Sequence, residues 1–335
     1  MKKKVLITSM GGSKNVYEFL SAFESVENIE LYVCDSNKDS IGKNLTENFF
    51  VLPSGKDENY CVRLLEKLIE FKIDMVIPCS DEEAFSLMNN ISLFENQGIV
   101  VAVQNPKMFK HLESKTSMYE YLKKYDIKLP NYKSIMNKND LIKYCSEFNL
   151  NEKLLLIKPV QERGGRNIFV LSHTHTELKE NLLNVTLNEF IDDYYDESRE
   201  YVLMDYIEGV VYDIDILKYQ NGDVYFGSRK RLTNVTKDFS GNIFDFDENI
   251  IEYAKKIYEC FPTTFLLDYD LIVTENKEVH LLEVNPRPSG SLISYLPFSI
   301  NLFEILIRSY LFNEHIPIKN LDTQKALVFN KIVKV

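Results

Sequence analysis

The 335-residue chain has no tryptophan and only five cysteines. Cys34, Cys61, Cys79, Cys145 and Cys260 are scattered, and none belongs to a C-x-x-C pair. That pattern reads as buried free thiols in a reducing compartment rather than a disulfide framework, and no motif marks any of them as a catalytic cysteine. His111, His173, His175, His280 and His315 show no metal-site spacing and are assigned no role. Positive charge is also short: 39 Lys and Arg stand against 50 Asp and Glu, a net charge of −11. A general nucleic-acid or anionic-membrane binder is not expected, although a few local cations would still hold an anionic small molecule. Long apolar runs are missing. The start MKKKVLITSMGG has too short a run for a signal peptide, which needs roughly 7–15 apolar residues, and no stretch nears the ~18 of a membrane span. A soluble cytoplasmic protein is expected, with neither nucleic acid nor membrane as partner.

Hydrophobic residues make up 45% of the chain, enough for sizeable cores, and the length suits two domains. The first hundred residues alternate strand and helix. VLIT (5–8), IELYVC (29–34), DMVIP (74–78) and GIVVAV (98–103) read as strands, and Tyr60 to Phe71 has helical spacing. This is a doubly wound α/β unit. Gly11-Gly12 lacks the G-x-G-x-x-G spacing of a dinucleotide loop and reads as a tight turn. Asn105-Pro106 breaks the pattern and marks the boundary of a first domain, 1–105. After a helix at about 114–125, the segment IKLP (127–130) and Leu150, the character becomes α+β. LLLIKP (154–159), NIFVL (167–171), VYDIDILKY (211–219), VYFGSRKR (224–231), FLLDYDLIV (265–273) and HLLEV (280–284) form short strands. Asn221-Gly222 is the strongest hairpin turn.

The hairpin around ENKE (275–278) carries most of the chemistry. Folding symmetric about Asn276 and Lys277 sets Asp270 opposite Glu283 and Asp268 opposite Asn285. Strict alternation places Leu281 on the face of Glu283 and Asn285, with Leu266 and Ile272 alongside. Two carboxylates about 5 Å apart repel unless they are solvated, share a proton or hold a cation. Asp, Glu and Asn offer hard oxygens, which suit Mg²⁺ beside a substrate phosphate. A wet strand face explains the same residues without a ligand.

The motifs together resemble the ATP-grasp superfamily over about residues 106–310. LLEVNPRPSG resembles its Glu-x-Asn-x-Arg segment, with Asp270 thirteen positions before the Glu. ESKTSMYEYLKKYDIKLP, LLIKPVQERGGRNIFVL and YVLMDYIEGVVYDIDI resemble its helix-leading lysine, its strand–Gly-rich loop–strand unit and its interlobe hinge. The layout is most similar to the carbamoyl-phosphate-synthase-like group of carboxylate–amine ligases.

The resemblance implies a fold class, α/β plus α+β. A Rossmann-like pre-ATP-grasp domain precedes a two-lobed ATP-grasp domain at 106–310 (lobes about 106–200 and 201–310), with a C-terminal extension at 311–335. It implies ATP and two Mg²⁺ ions, with Mn²⁺ able to substitute, held by Asp270, Glu283 and Asn285. Arg287 and Lys158 take catalytic positions, by the transferred phosphate and the α- and β-phosphates. Nucleotide contacts fall to Lys115, Lys158, the flap residues Glu162, Arg163, Gly164 and Gly165, the hinge Asp205, Tyr206 and Ile207, and Glu208 or Asp213 at the ribose. Met204, Val211, the cationic flap ERGGR and Ser289 depart from the family pattern without removing a metal or phosphate group.

Asp81, Glu82, Arg229 and Arg231 are candidates for substrate. Simpler readings stand beside these: Ser80 to Glu83 has the spacing of a helix capping box, and a hairpin symmetric about Asn221-Gly222 pairs Asp213 with Lys230 as a salt bridge. The activity implied is an ADP-forming ligase that joins a small carboxylate to an amine (or thiol), with a homodimer possible. A non-catalytic ATP-binding regulator and a carbamoyl-phosphate-type kinase are the alternatives. A dinucleotide oxidoreductase built on the first domain is a further rival; it would need NAD binding, for which the loop SMGGSKN is poor. The end ALVFNKIVKV (326–335) reads as a strand, on its own sheet or a partner's.

Overall fold

The computed structural model describes residues 2–9, 16–24, 26–112, 114–160, 167–176, 178, 182–233 and 239–327. Three sheets follow one another along the chain. The first holds β1 (Lys3–Ile7), β2 (Ile29–Asp35), β3 (Phe49–Val51), β4 (Met75–Ile77) and β5 (Val100–Val101), all parallel, in the order β3-β2-β1-β4-β5. Both faces are covered, as a parallel sheet requires. Val5 and Ile7 pack with the helix Val16–Glu24, and Leu6 packs with Tyr60 and Leu64 of the helix Tyr60–Phe71. Phe303 of the late helix Leu302–Phe312 joins the first face, its ring centroid 5.7 Å from Phe19 and 5.2 Å from Phe23.

The second sheet contains β6 (Tyr132–Ile135), β7 (Leu155–Pro159), β8 (Phe169–Ser172), β9 (Leu183–Thr186) and β10 (Tyr201–Asp205), in the order β6-β10-β7-β8-β9. The third contains β11 (Val210–Lys218), β12 (Val224–Thr233), β13 (Phe239–Phe244), β14 (Leu266–Val273), β15 (Val279–Asn285) and β16 (Gln324–Leu327), in the order β15-β14-β11-β12-β13-β16. Over residues 324–327 the C-terminal strand therefore pairs within its own sheet. The segment IKLP is not a strand, but the Lys128 carbonyl accepts the Leu281 N–H at 3.0 Å and covers part of the β15 edge.

Alternation divides the third sheet cleanly. Tyr212, Ile214 and Ile216 of β11 and Leu267, Tyr269 and Leu271 of β14 face a core with Ala254 and Ile257 of the helix Glu248–Cys260 and with Tyr119. Asp213, Asp215, Asp268 and Asp270 take the other side.

The β11–β12 register corrects one expectation. Tyr219 N–H reaches Asp223 O at 2.8 Å, Gly222 N–H returns to Tyr219 O at 3.1 Å, and Gly222 has φ +99°. Three residues thus lie between Tyr219 and Asp223. That odd count moves the ladder by one residue from the symmetric two-residue turn. Asp213 stands opposite Arg229, and Lys230 pairs with Tyr212. The expected Asp213–Lys230 bridge is therefore not formed.

Among the described residues no single helix is long and apolar enough to cross a membrane. The five cysteines are unbridged.

Candidate active site

Six polar residues form two rows across three neighbouring strands. Asp213 of β11 faces Asp270 of β14, which faces Glu283 of β15; Asp215 faces Asp268, which faces Asn285. Both pairings expected across the β14–β15 hairpin are present, but the turn is not the symmetric one. The ladder begins with Val273 opposite Val279, leaving five residues in the connection, and continues to Leu271 opposite Leu281. The register then shifts between Leu271 and Asp270, because β15 carries one extra residue, Leu282. This bulge places Leu281 with the fully buried Leu271 in the core, so Leu281 does not share the face of Glu283 as alternation predicted.

Cations from four elements surround these rows. Lys115 opens the helix Lys115–Leu122, whose first turn is capped by Ser114, and its Nζ donates to Glu283 Oε1 at 2.6 Å. Lys158 lies on β7 of the second sheet. Burial, reinforced by Lys115, pulls its ammonium down to about 8, against the opposing pull of Glu283 and Asp270. Arg231 donates to Asp213 and, at 3.2 Å, to Asp270. Arg287 pairs through Nε with Asp81 Oδ1 at 3.0 Å and donates from Nη1 to Pro288 O at 3.0 Å.

The carboxylates respond to these surroundings. Burial pushes Asp270 up to about 6, with Arg231 opposing. Burial pushes Glu283 the same way, but Lys115 and Lys158 overcome it and hold it below the usual range. Asp268 lies well above its usual range through burial and the adjoining acids. Its Oδ2 accepts from Asn285 Nδ2 at 3.0 Å, whereas its buried Oδ1 has no hydrogen-bond partner among the described residues. Asp213, Asp268 and Asp270 each offer an oxygen within 4.8 Å of the others. An all-oxygen donor set with one unsatisfied buried carboxylate oxygen fits a hard divalent cation. Asp270, Glu283 and Asn285 are the expected ligands. Asp268 is not among the expected ligands, although its two-residue spacing from Asp270 puts it on the same strand face.

Arg229 corrects a substrate expectation. It is fully buried, and its Nε and Nη2 bind Asp215 at 2.6 and 2.8 Å, while Nη1 reaches Asn242 Oδ1 at 2.8 Å and Ser291 Oγ at 2.5 Å. Tyr295 Oη adds a bond to Asp215 at 2.9 Å. Gly227 stands opposite Asp215, and a Cβ there would collide with the Tyr295 hydroxyl. The guanidinium is consumed internally and does not reach a substrate. Asp213 is likewise enclosed, by Arg231, Arg229 and Asn242, which removes it from the ribose position. Arg231 remains one-third exposed at the edge of the rows.

In the segment expected to form the hinge, Asp205 and Tyr206 N–H groups donate to Asn131 O at 3.0 Å and Leu154 O at 3.3 Å. Ile207 follows in the connection to β11, and Glu208 is exposed. The flap residues Glu162, Arg163, Gly164 and Gly165 and the Gly11-Gly12 turn lie outside the described residues. Ser80 does cap its helix, accepting Glu83 N–H at 3.3 Å. Glu83 itself is buried, receives Thr8 Oγ1 at 2.5 Å and Ser80 Oγ at 2.9 Å, and is raised by burial. Asp81 is turned to Arg287, and Glu82 lies 3.9 Å from Lys56.

Parts of the sequence and the fold are shared with known proteins. Residues 197–332 match the family described as ATP-grasp in the biosynthetic pathway with Ter operon, and residues 5–102 match the PylC-like N-terminal domain. The matches thus assign an ATP-grasp domain to residues 197–332 and a PylC-like N-terminal domain to residues 5–102. Within that superfamily it has a carbamoyl-phosphate-synthase-like relative: it is 21% identical over 291 residues to a carbamoyl-phosphate synthase of Methanobrevibacter smithii, covering 82% of this chain and 72% of that one. An uncharacterised protein of Methanocaldococcus jannaschii is 22% identical over 248 residues, covering 72% of this chain and 56% of that protein. The chain therefore spans little more than half the length of that relative. The fold matches N5-carboxyaminoimidazole synthetase of Staphylococcus aureus in its ADP complex, with TM-score 0.71 and 15% identity over 95% of this chain and 79% of that one.

Proposed function

We propose that the protein is an ADP-forming ligase that activates a small carboxylate, such as that of an amino acid, as an acyl phosphate and joins it to an amine. The observation that carries this reading is the convergence of Asp270, Glu283 and Asn285 with Lys115, Lys158 and Arg287 from three strands, one helix and the segment that follows β15. The ADP complex of the staphylococcal synthetase supports a nucleotide in the same fold.

In this reading Lys115 and Lys158 hold nucleotide phosphates. Lys158 is suited to an anion because its buried ammonium gains a counter-charge when a phosphate arrives. Arg287, fixed by Asp81, offers positive charge where the transferred phosphoryl group becomes more negative. Ile207 and its neighbours form the edge against which the base would lie. Divalent cations bound by Asp270, Glu283 and Asn285 would neutralise the β- and γ-phosphate oxygens. The substrate carboxylate attacks the γ-phosphorus, ADP leaves, the amine attacks the acyl carbon, and phosphate departs with one carboxylate oxygen. Such a reaction needs positioning and charge compensation more than covalent help from side chains.

The M. smithii relative favours a second reading, a carbamoyl-phosphate-type kinase acting on carbonate or carbamate. Mg²⁺-dependent ADP release from ATP, with pools of amino acids and other small carboxylates and with bicarbonate separately, distinguishes the two. Release that needs a carboxylate pool and is lost in Glu283→Ala supports the ligase. Release with bicarbonate alone supports the kinase. Tight nucleotide binding with no release in any pool supports a non-catalytic ATP-binding regulator.

A further inference from the structure

The β15 bulge decides which side chains meet at the candidate metal site, and one buried hydroxyl holds it. In an antiparallel ladder opposed residues share a face, and one added residue reverses the phase of everything beyond it. On the turn side of the shift, Leu271 and Leu281 are opposed on the core face. Were the ladder to continue unbroken, Asp270 would face Leu282 and Asp268 would face Val284. Glu283 and Asn285 would then point into the core. Leu282 is the added residue that turns both onto the acidic face.

A bulge residue falls out of the ladder's hydrogen bonding, so its carbonyl needs another donor. Tyr119 supplies it: the hydroxyl donates to Leu282 O at 2.7 Å. The preceding residue, Leu281, is fixed from the strand's outer edge through its N–H to Lys128 O at 3.0 Å. Tyr119 is fully buried, and its ring packs 5.0 Å from that of Tyr132. Burial and the nearby Glu283 keep its phenol protonated, so it remains a donor. Tyr119 stands one helical turn after Lys115, which grips Glu283 itself. One helix thus holds both the main chain before Glu283 and the Glu283 carboxylate.

We infer that Tyr119 is a positioning residue for divalent-cation binding: by clamping the Leu282 carbonyl it keeps the bulge that presents Glu283 and Asn285 beside Asp270. This rests on the ATP-grasp ligase reading only for the identity of the cation site. The Tyr119→Phe variant keeps the ring and removes only the donor. Tyr121→Phe, which removes a hydroxyl bonded to Cys260 O at 3.1 Å from the same helix, is the control.

Mn²⁺ titration with a non-hydrolysable ATP analogue, read by electron paramagnetic resonance, gives cation affinity without turnover. Nucleotide binding in EDTA and the thermal midpoint are measured alongside. The inference requires about tenfold weaker Mn²⁺ binding in Tyr119→Phe, a change of about 1.4 kcal/mol, with metal-free nucleotide binding unchanged and Tyr121→Phe like wild type. Unchanged Mn²⁺ affinity in Tyr119→Phe, or an equal loss in Tyr121→Phe, overturns it. A wild-type protein that binds neither Mn²⁺ nor the analogue overturns the ATP-grasp ligase reading instead.

Discussion

Lys115 and Glu283 are 168 residues apart in sequence, yet the lysine ammonium lies 2.6 Å from the glutamate carboxylate. The pair joins the helix after the first domain to the edge strand of the third sheet. Both side chains are largely shielded from solvent. Removing Lys115 therefore leaves Glu283 beside Asp270 with less compensation. Lys115→Met is expected to weaken ATP binding by about tenfold, the loss of one charge-assisted contact of roughly 1.5 kcal/mol, measured by isothermal titration in Mg²⁺. Unaltered affinity would remove Lys115 from the phosphate contacts.

Arg229 tests whether a buried guanidinium belongs to structure or to substrate. With both carboxylate oxygens of Asp215 bound and no exposure, Arg229→Met should cost about 3–5 kcal/mol of folding stability by stranding Asp215. The double variant Arg229→Met with Asp215→Leu should recover most of that loss, as seen by urea unfolding. A folded single variant with normal stability and a raised KM for the carboxylate would return Arg229 to the substrate site.

Lys158 gives a pH dependence of definite sign. Its folded-state ammonium titrates at about 8, below the ordinary lysine value of 10.5, because burial disfavours the charge. Between these values the unfolded chain binds more protons, so this residue makes stability rise with pH from about 8 toward 10.5. Phosphate binding by the charged form moves the other way: nucleotide affinity should fall as pH rises through about 8. Lys158→Arg, charged throughout, should flatten that fall. A titration series from pH 7 to 9.5 checks it, and an equal decline in the arginine variant would assign the effect elsewhere.

The first sheet and the β14–β15 site were legible in the sequence for a common reason. Apolar runs such as VLIT and DMVIP and the polar steps Asp268, Asp270, Glu283 and Asn285 are local patterns, and local patterns fix faces. What escaped depended on loop parity and on partners distant in sequence. The odd turns at Gly222 and at residues 274–278 shift ladders by one residue, and only the second is compensated, by Leu282. Short strands such as Phe49–Val51 and Leu183–Thr186 carry too few residues to show a period. Arg229 and Arg231 look alike in SRKR, yet one is buried against Asp215 and the other lies at the edge beside Asp270, a difference set by the third sheet as a whole.

Asp81 links the first domain to Arg287, the arginine proposed to meet the transferred phosphoryl group. Asp81→Asn keeps the shape but loses the ion pair, so the arginine is held less firmly. The expected result is a roughly tenfold lower kcat for ADP formation with KM for ATP unchanged, since about 1.4 kcal/mol is lost at the transferred group rather than at the nucleotide. A change in KM for the amine alone would instead make Asp81 a substrate contact.

The central claim is that a carboxylate oxygen attacks the γ-phosphorus of ATP. It is tested most directly by supplying the activating carboxylate with both oxygens as ¹⁸O and following products by mass spectrometry. The account predicts ADP together with inorganic phosphate that carries one ¹⁸O from the carboxylate. Phosphate without ¹⁸O, its fourth oxygen drawn from water, or AMP with pyrophosphate, would contradict it.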